Sequence, residues 1–444
     1  MKKLILSLFT LTLSLTALGQ QAGDNFVIKT SEAGKTTEWS LAGDSKNGDI
    51  STIKHKGNQL ILYAKGYEGI EWETYDIDKI ESITFNVFHK GSYVEESAAQ
   101  AVKNMGIGTN FGNCTDVVAM WMNMNSNSVT DFEKAWGQEP TTKPMVDFLK
   151  KNGFNSVRIP VTWFQHMKAD GTVDEAWMNR IQEIVDYVID NGMYCILNIH
   201  HDTGADSDDV KHWIKADVDN YNANKEKFES LWTQIATRFQ NYDQHLVFEG
   251  YNEMLDASNT WNAPKNANSY KGLNGYAQSF VNAVRATGGN NETRNLIVNT
   301  YAAANGDEVL NNLTIPTDKV DGHIAVEVHT YAPWDWFAQK GKWDASCSNE
   351  IKNMFTRLNN KFISKGIPCI IGEYGTHGSK SVSKNSSASE IQAAADQAAD
   401  IVKQAKAYGV ATFYWMSIFD GTDRSVPQWT LPTVVEAMKK AYNE

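Results

Sequence analysis

The feature that most constrains the fold is a repeated unit of a helix, a glycine and an apolar strand. In residues 174–190 apolar side chains recur at helical spacing, with Asp174 as the expected N-cap and Gly192 as the stop. The strand "MYCILNIH" follows at once. Similar pairs are "KPMVDFLKKNG" with "FNSVRIPV", "IKNMFTRLNNKFISKG" with "IPCIIGEYG", and "IQAAADQAADIVKQAKAYG" with "VATFYWMS". Apolar strands that alternate with helices indicate a parallel sheet covered by helices.

The length of the repetitive region, residues 101–444, helps to distinguish between the two common types of parallel sheet. It suits an eightfold (β/α)8 barrel with some long loops, for which about 250 residues are typical. An open doubly wound sheet is the alternative, but it usually carries a glycine-rich phosphate loop followed by a helix. The segment "GIGTNFGN" has the glycines and lacks the helical pattern after them. We therefore predict an α/β fold in which 101–444 form a (β/α)8 barrel.

Residues 1–19 have the layout of a secretory signal peptide. Two lysines precede an apolar run, and Ala17-Leu18-Gly19 forms a small-residue cleavage site. The apolar run of about 15 residues is short for a membrane span, and no other stretch is long and apolar enough to cross a bilayer. A transmembrane anchor is the alternative interpretation. We expect an exported protein that is extracellular, periplasmic or attached to the cell surface.

Residues 20–95 differ from the repeats that follow. "TIKHKGNQLILYAK" predicts two strands around a Gly57-Asn58 turn, and "IESITFNVFHK" alternates as a half-buried strand does. We predict a small all-β module that is joined to the barrel by a linker at 91–100. Such a module could bind carbohydrate or serve as a spacer, and the sequence leaves both roles open.

The net charge restricts the classes of binding partner. The formal net charge of −12 argues against nucleic acids and anionic membranes, which select basic surfaces, so a neutral partner fits best.

Cys195 and Cys369 lie in strand-like runs and are expected to be buried thiols. Cys114 and Cys347 lie in loop-like sequence and could pair. No Cys/His spacing of the zinc type occurs, so we expect neither a metal nor a cofactor.

Polar side chains follow the apolar strands at the points where those strands end. The carboxyl ends of parallel barrel strands meet at one mouth, where active sites form. Two carboxylates stand out there, Glu253 in "FEGYNEM" and Glu373 in "IIGEYG". A regular strand would turn Asn252 and Glu253 to opposite faces, so we expect the backbone to bend there. The other polar or aromatic groups at strand ends are Arg158, His200, His201, His329, Tyr331 and Trp415.

This set of side chains suits the hydrolysis of a glycosidic bond. The reaction needs one protonated acid for the departing oxygen and one ionised carboxylate for the anomeric carbon. A nearby arginine or tyrosine hydroxyl favours the ionised form, and burial raises the pKa of the acid that must stay protonated. Asn252 could bind a sugar 2-hydroxyl, and Trp415 offers a flat face to a pyranose ring.

Eight segments, taken in order along the chain, resemble those of a known family. Residues 101–444 resemble glycoside hydrolase family 5, the cellulase family, and most of all its bacterial endoglucanase and xyloglucanase branch. Thr109 and Phe111 depart from the tryptophan and leucine usual in the first motif, which affects contacts on the glycone side. The matching segments, in order, are "GIGTNFGN", "AWGQEPTT", "GFNSVRIPVTW", "GMYCILNIHHD", "FEGYNEM", "VHTYAPW", "IGEYG" and "FYW".

The resemblance implies roles for individual residues. It implies Glu253 as the acid/base and Glu373 as the nucleophile of a retaining double displacement. Asn110 and His201 match positions that contact sugar further along the cleft. The positions that match the remaining active-site residues of the family are Arg158, His200, Asn252, His329, Tyr331 and Trp415.

These observations together favour a secreted, monomeric endo-β-1,4-glucanase whose partner is a neutral β-glucan of the cellulose, mixed-linkage or xyloglucan type. The alternatives are a xylanase or mannanase on the same barrel and a catalytically weak glycan-binding surface protein. A metal-dependent hydrolase that uses His200, His201 and Asp202 is disfavoured, because neighbours on a strand point to opposite faces. Further candidates for lining a glycan cleft are Trp213, Trp334 and Trp343.

Overall fold

The computed structural model describes most of the chain, in two compact units, 1–92 and 93–444. The predicted signal peptide lies outside the described residues except for a two-residue strand, so its cleavage stays a prediction. The described residues are 13–14, 25–31, 36–40, 50–64, 70–86, 93–261, 263–333, 342–376, 381–416 and 427–444.

The described residues of the first unit form two antiparallel sheets, as expected for the predicted all-β module. One sheet has the order β1 (Leu13–Ser14), β4 (Ile50–Lys56), β5 (Gln59–Ala64) and β6 (Glu71–Asp76); the other has β3 (Thr36–Ser40), β2 (Asn25–Thr30) and β7 (Ile80–Asn86). Strands β4 and β5 form the predicted hairpin, in which Gly57 has φ +63°. A shared apolar cluster comprises Ile28, Trp39, Ile50, Ile53, Leu60, Leu62 and Ile80.

Eight parallel strands close the second unit into a barrel. In chain order they are β8 (Ile107–Asn110), β9 (Ser156–Ile159), β10 (Tyr194–Asn198), β11 (Leu246–Glu249), β12 (Leu296–Asn299), β13 (Ile324–Thr330), β14 (Cys369–Tyr374) and β15 (Ala411–Tyr414). Each strand pairs in parallel with the next, and β15 pairs back to β8. The predicted (β/α)8 barrel is therefore confirmed.

Helices cover the outside of this barrel. They are α1 (Ala98–Met105), α2 (Val129–Lys134), α3 (Lys143–Lys151), α4 (Glu175–Ile189), α5 (Val218–Arg238), α6 (Ala267–Ala286), α7 (Asp307–Asn312), α8 (Ala345–Lys361), α9 (Ala388–Ala407) and α10 (Pro432–Asn443). From α3 onwards one helix follows each strand. Asp174 caps α4 as predicted. Helix α1 begins at Ala98, inside the stretch predicted as a linker.

The barrel interior changes character along its axis. Near the amino-terminal ends of the strands it is apolar, and α1 packs against it and closes that end. The apolar side chains there include Ile196, Val247, Ile297, Ile370 and Phe413. Towards the carboxyl ends the interior is polar, with the fully buried side chains of Arg158, Asn198, Glu249, Asn299 and Glu327. The polar layer lies directly beneath the predicted active-site mouth.

All four cysteines lie within the described ranges, are buried and form no disulfide. The burial of Cys195 and Cys369 is therefore confirmed, and the pairing of Cys114 with Cys347 that the sequence left open does not occur.

Among the described residues, no helix has both the length and the apolar character that crossing a membrane requires.

Candidate active site

The two predicted carboxylates reach the barrel mouth by different routes. Strand β11 ends at Glu249, and the chain bends at Asn252 and Glu253, as expected. Glu373 lies inside β14, whose register shifts against both neighbouring strands. Such an irregularity changes the face that the following side chains take. It pairs Glu373 with His329 of β13 and lets both side chains enter the mouth.

The geometry brings these groups together. One ligand atom each of Glu253, His329 and Glu373 lies within 4.8 Å of the others. His329 Nδ1 is 2.8 Å from Glu253 Oε1 and 3.6 Å from Glu373 Oε2. The Tyr331 hydroxyl donates to Glu373 Oε2 at 2.6 Å. Side chains from the fourth, sixth and seventh barrel strands and their loops therefore form one cluster.

The Arg158 guanidinium is fully buried at the base of the cluster. Its Nε and Nη2 donate to the two oxygens of Glu249 at 2.7 and 2.8 Å. Nη1 donates to Glu373 Oε1 at 2.9 Å and to Asn110 Oδ1 at 3.0 Å. Nη2 also donates to Asn252 Oδ1 at 2.8 Å. These five hydrogen bonds equal in number the five N–H groups of a guanidinium, so every N–H of Arg158 has an acceptor.

Burial and neighbouring charges set the protonation states. Burial raises the pKa of Glu373 and so does Glu253, whereas His329, Arg158 and Tyr331 lower it, and the pKa is about 7. Burial lowers the pKa of His329, but the surrounding carboxylates outweigh this effect and raise it to about 10. His329 is therefore an imidazolium at neutral pH. In this cluster the carboxyl whose pKa burial raises is that of Glu373, the residue to which the resemblance assigns the nucleophile.

Aromatic rings form the wall on the other side of the mouth. The rings of His200 and Trp415 are parallel within 7°, with centroids 5.8 Å apart. Gly112 allows this arrangement, since a Cβ there would lie 2.8 Å from the indole of Trp415. The His201 ring lies 4.5 Å from that of His200 and 5.5 Å from that of Trp136. The predicted residues His200, His201 and Trp415 therefore lie together beside the carboxylate cluster.

A cavity of about 300 Å³ opens next to Glu253. Its lining is mostly apolar and aromatic and includes Trp136, His201, Val210 and Trp261. Trp261 has half of its surface exposed, as expected for a ring that forms the edge of a binding site. Trp136 and Trp261 were not predicted from the sequence, because both lie in irregular loops.

Some candidates lie elsewhere than expected. Asn110 is 1% exposed, and its amide contacts Arg158 and the carbonyl of Gly372, so it braces the arginine from inside the barrel. The Trp213 indole donates to the buried Asp202. Trp343 packs among the outer helices and donates to Asp400, away from the mouth, and Trp334 lies outside the described residues.

In the part of the chain that the structure describes, two groups of side chains are close enough to hold a metal ion, Glu253 with His329 and Glu373, and Asp116 with His200 and His201. The expectation that the two histidines point apart was wrong, because β10 ends at Asn198 and both lie beyond the pleat. In the second group Asp116 Oδ2 is buried and has no hydrogen-bond partner among the described residues. A cation would satisfy this oxygen, and so would a proton, since burial raises the pKa of Asp116 to about 6.

Glu249 and Glu327 are two further acidic residues of the site that were not predicted from the sequence. Both lie inside apolar strands, in "LVFEG" and "IAVEVHT", and both are fully buried in the polar layer beneath the mouth. A single acid in an otherwise apolar strand was the available signal, because a buried charge requires a partner. That partner is Arg158, which lies on another strand.

Paired carboxylates at the mouth of a (β/α)8 barrel, with a cation and aromatic rings around them, define a site of the glycoside hydrolase class. Comparison with known proteins agrees. The family model for cellulase, glycosyl hydrolase family 5, matches residues 114–421. The chain therefore belongs to glycoside hydrolase family 5.

Individual relatives are similar over most of the barrel. A family 5 glycoside hydrolase from Prevotella bryantii is 58% identical, with 80% of this chain and 100% of that chain covered and a TM-score of 0.76. A mutant of that enzyme was solved with a xyloglucan tetradecasaccharide. The cellulase/esterase CelE of Acetivibrio thermocellus is 34% identical, and endoglucanase B of Neocallimastix patriciarum is 38% identical. The matches cover 78% and 63% of this chain, and 40% and 58% of those relatives.

We expect Glu373 to titrate near pH 7, far above the ordinary 4.5 of a glutamate, because burial opposes its charge. Difference infrared spectroscopy of wild type and Glu373→Gln measures this. Compared with the variant, the wild type should show an additional protonated-carboxyl signal that grows as the pH falls through about 7. Asp116 and Asp202, whose pKa burial raises to about 6, titrate in both proteins and calibrate the signal. A difference that grows only near 4.5 would contradict the expectation.

Proposed function

We propose that this protein is an endo-acting β-1,4-glucanase that cleaves its substrate with retention of configuration. The observation that carries the proposal is the pair Glu253 and Glu373, which have carboxylate oxygens within 4.8 Å of each other. Retaining glycosidases hold their carboxyl groups about 5–5.5 Å apart, whereas inverting ones leave about 6.5–9.5 Å for a water molecule. The short separation supports a covalent glycosyl-enzyme intermediate.

The surroundings of the two carboxylates support separate roles. Both oxygens of Glu373 accept hydrogen bonds, from Arg158 and from Tyr331, and these donors favour an ionised nucleophile of fixed orientation. The Glu253 side chain is 20% exposed and lines the open cavity, where a departing sugar oxygen can reach it. With a pKa of about 7, a large fraction of Glu373 is ionised at neutral pH.

The reaction then runs in two steps. Glu373 attacks the anomeric carbon, the bond from that carbon to the leaving oxygen breaks, and Glu253 transfers its proton to this oxygen. Glu253, now a carboxylate, takes a proton from water, and the resulting hydroxide oxygen displaces Glu373 from the anomeric carbon. Arg158 holds Asn252 Oδ1, so the amide nitrogen of Asn252 is directed away from the guanidinium and can donate to a sugar hydroxyl.

Replacement of each carboxylate tests these roles. Glu373→Gly should abolish turnover, and azide should restore cleavage with a glucosyl azide of inverted configuration, because azide enters the space of the nucleophile. The matched variant Glu253→Gly should still form the glycosyl-enzyme from substrates with a good leaving group. Azide should then give the retained product. NMR of the azides distinguishes these outcomes.

The opposite pattern has a definite meaning. A retained azide from the Glu373 variant would assign the nucleophile to Glu253. A wild-type protein that binds β-glucans and releases no reducing sugar from any of them would instead be a glycan-binding protein.

The neutral β-glucan substrate is supported by several observations. The acidic chain disfavours anionic polymers, and similar proteins include endoglucanases and a family 5 enzyme solved with a xyloglucan oligosaccharide. The cavity beside Glu253 offers space for a side branch close to the cleavage point. We therefore include xyloglucan among the substrates.

Substitution of Trp261 tests the contribution of the cavity. Trp261→Ala should lower kcat/KM on xyloglucan by about tenfold relative to unbranched glucan, as expected for one lost apolar contact of about 1.4 kcal/mol. Trp121→Ala is the matched control, because Trp121 is 71% exposed and does not line the cavity. Product sizing over time on both polymers also tests endo action. An equal loss on both substrates in Trp261→Ala would exclude a branch-specific contact.

Export of the enzyme is a separate part of the proposal and depends on residues 1–19 alone. A signal peptide would be removed after Gly19, so the mature protein should begin at Gln20. N-terminal sequencing of protein recovered outside the cytoplasm measures this directly. An uncleaved N-terminus in a membrane fraction would favour an anchor.

A further inference from the structure

Two buried carboxylates, Glu249 and Glu327, lie beneath the reacting pair and take no part in the two steps above. Both are fully buried and both contact Arg158. Only Glu327 also contacts His329. Because a buried charge is costly unless it is paired, the contact between Glu327 and His329 calls for an explanation in terms of charge.

His329 is held between carboxylates on two sides. Its Nδ1 is 2.8 Å from Glu253 Oε1, and its Nε2 is 3.1 Å from Glu327 Oε1. An ionised carboxylate only accepts hydrogen bonds, so each of these contacts requires one hydrogen. The three groups therefore share at least two protons. An imidazolium that donates to Oε1 of each carboxylate satisfies both contacts, and Glu253 can then carry its transferable proton on Oε2.

The neighbouring strand provides the space for Glu327. Gly372 on β14 has no side chain, and a Cβ at this position would overlap with the Glu327 carboxylate. Glu327 Oε1 also lies 3.3 Å from Arg158 Nε, while its buried Oε2 has no hydrogen-bond partner within the described ranges. The orientation of this carboxylate therefore depends on its contacts with Arg158 and His329.

We propose that Glu327 is a positioning residue for the acid/base. It holds His329 as an imidazolium with Nδ1–H directed at Glu253, and thereby sets the pH range in which Glu253 works. The inference rests on the proposed function. When Glu253 transfers its proton to the leaving oxygen, the electron pair of the broken O–H bond stays on the carboxylate. His329 stabilises this charge, and Glu327 balances the charge of His329.

Other titratable groups also surround His329. Glu373 on β14 lies 3.6 Å away, and Tyr331 donates to Glu373. His200 follows β10, and burial together with neighbouring positive charges lowers its pKa well below the ordinary value, so it is neutral. Arg158 on β9 faces Glu327. In contrast to Glu253 and Glu373, Glu327 is out of reach of a substrate, and its effect on catalysis passes through His329.

The test compares Glu327→Gln with Glu249→Gln. Each change keeps the shape of the side chain and removes one carboxylate from contact with Arg158. We measure kcat/KM against pH on a soluble unbranched β-glucan. The basic limb of Glu327→Gln should move to lower pH by about one unit or more. With one negative charge removed, the pair of Glu253 and His329 releases its proton more easily.

The control should behave differently. Glu249 contacts Arg158 and not His329, so Glu249→Gln should change mainly the acidic limb, through Arg158 and Glu373. An equal displacement of the basic limb in both variants would show a general effect of buried charge and overturn the proposal. An unmoved basic limb in Glu327→Gln would overturn it as well.

A second measurement is independent of whether Glu327→Gln folds. Histidine-selective ¹⁵N NMR of the wild type, with the His329 signal identified by its loss in His329→Gln, reports protonation of both ring nitrogens. They should stay protonated well into the alkaline range, and a neutral ring at neutral pH would overturn the proposal. A wild type that hydrolyses no β-glucan would refute the proposed function, while the NMR result would still decide the state of His329.

Discussion

The buried guanidinium of Arg158 is the interaction on which the geometry of the site depends. Arg158 lies on β9 and donates hydrogen bonds to Asn110 of β8 and to Glu373 of β14. It also donates to Glu249 and Asn252, at the end of β11 and in the segment that follows it. Loss of one partner from a buried charge pair costs on the order of 3–5 kcal/mol, because the remaining charge stays uncompensated. A lysine has three donors on a flexible stem and could not hold these acceptors in one plane. Closure of the barrel and orientation of Glu373 thus depend on the same group.

The second constraint is the charge balance of the polar layer and the mouth. Arg158 and His329 supply positive charge, and four carboxylates lie within reach of them. In a water-poor interior so many negative charges are not all ionised together, and the excess is relieved by binding protons. Burial is the largest cause of the raised pKa of Glu373, with a further contribution from Glu253, whereas the surrounding carboxylates raise the pKa of His329. The protonation states of the site are therefore a property of the whole cluster.

Much of the fold could be predicted because it depends on local patterns. Helix α4 was expected from its cap at Asp174 and its apolar stripe, and the barrel from apolar strands that alternate with helices. The bend at Asn252 and Glu253 was expected because a regular pleat would separate them. The same reasoning failed for His200 and His201, because it assumed that β10 continues past Asn198. Strand ends are set by pairing with neighbours, which a single segment does not reveal.

The sequence by itself determined the class of the barrel and singled out Glu253 and Glu373, since an acid at the end of an apolar strand is conspicuous. Only the tertiary structure decided which groups share their protons. Glu249 and Glu327 are inconspicuous until the barrel closes around Arg158, and Glu373 turns inward only because β14 shifts register against its neighbours. The reason is physical: burial follows from the pattern within one segment, whereas electrostatic coupling depends on distances between segments, which exist only in the folded barrel.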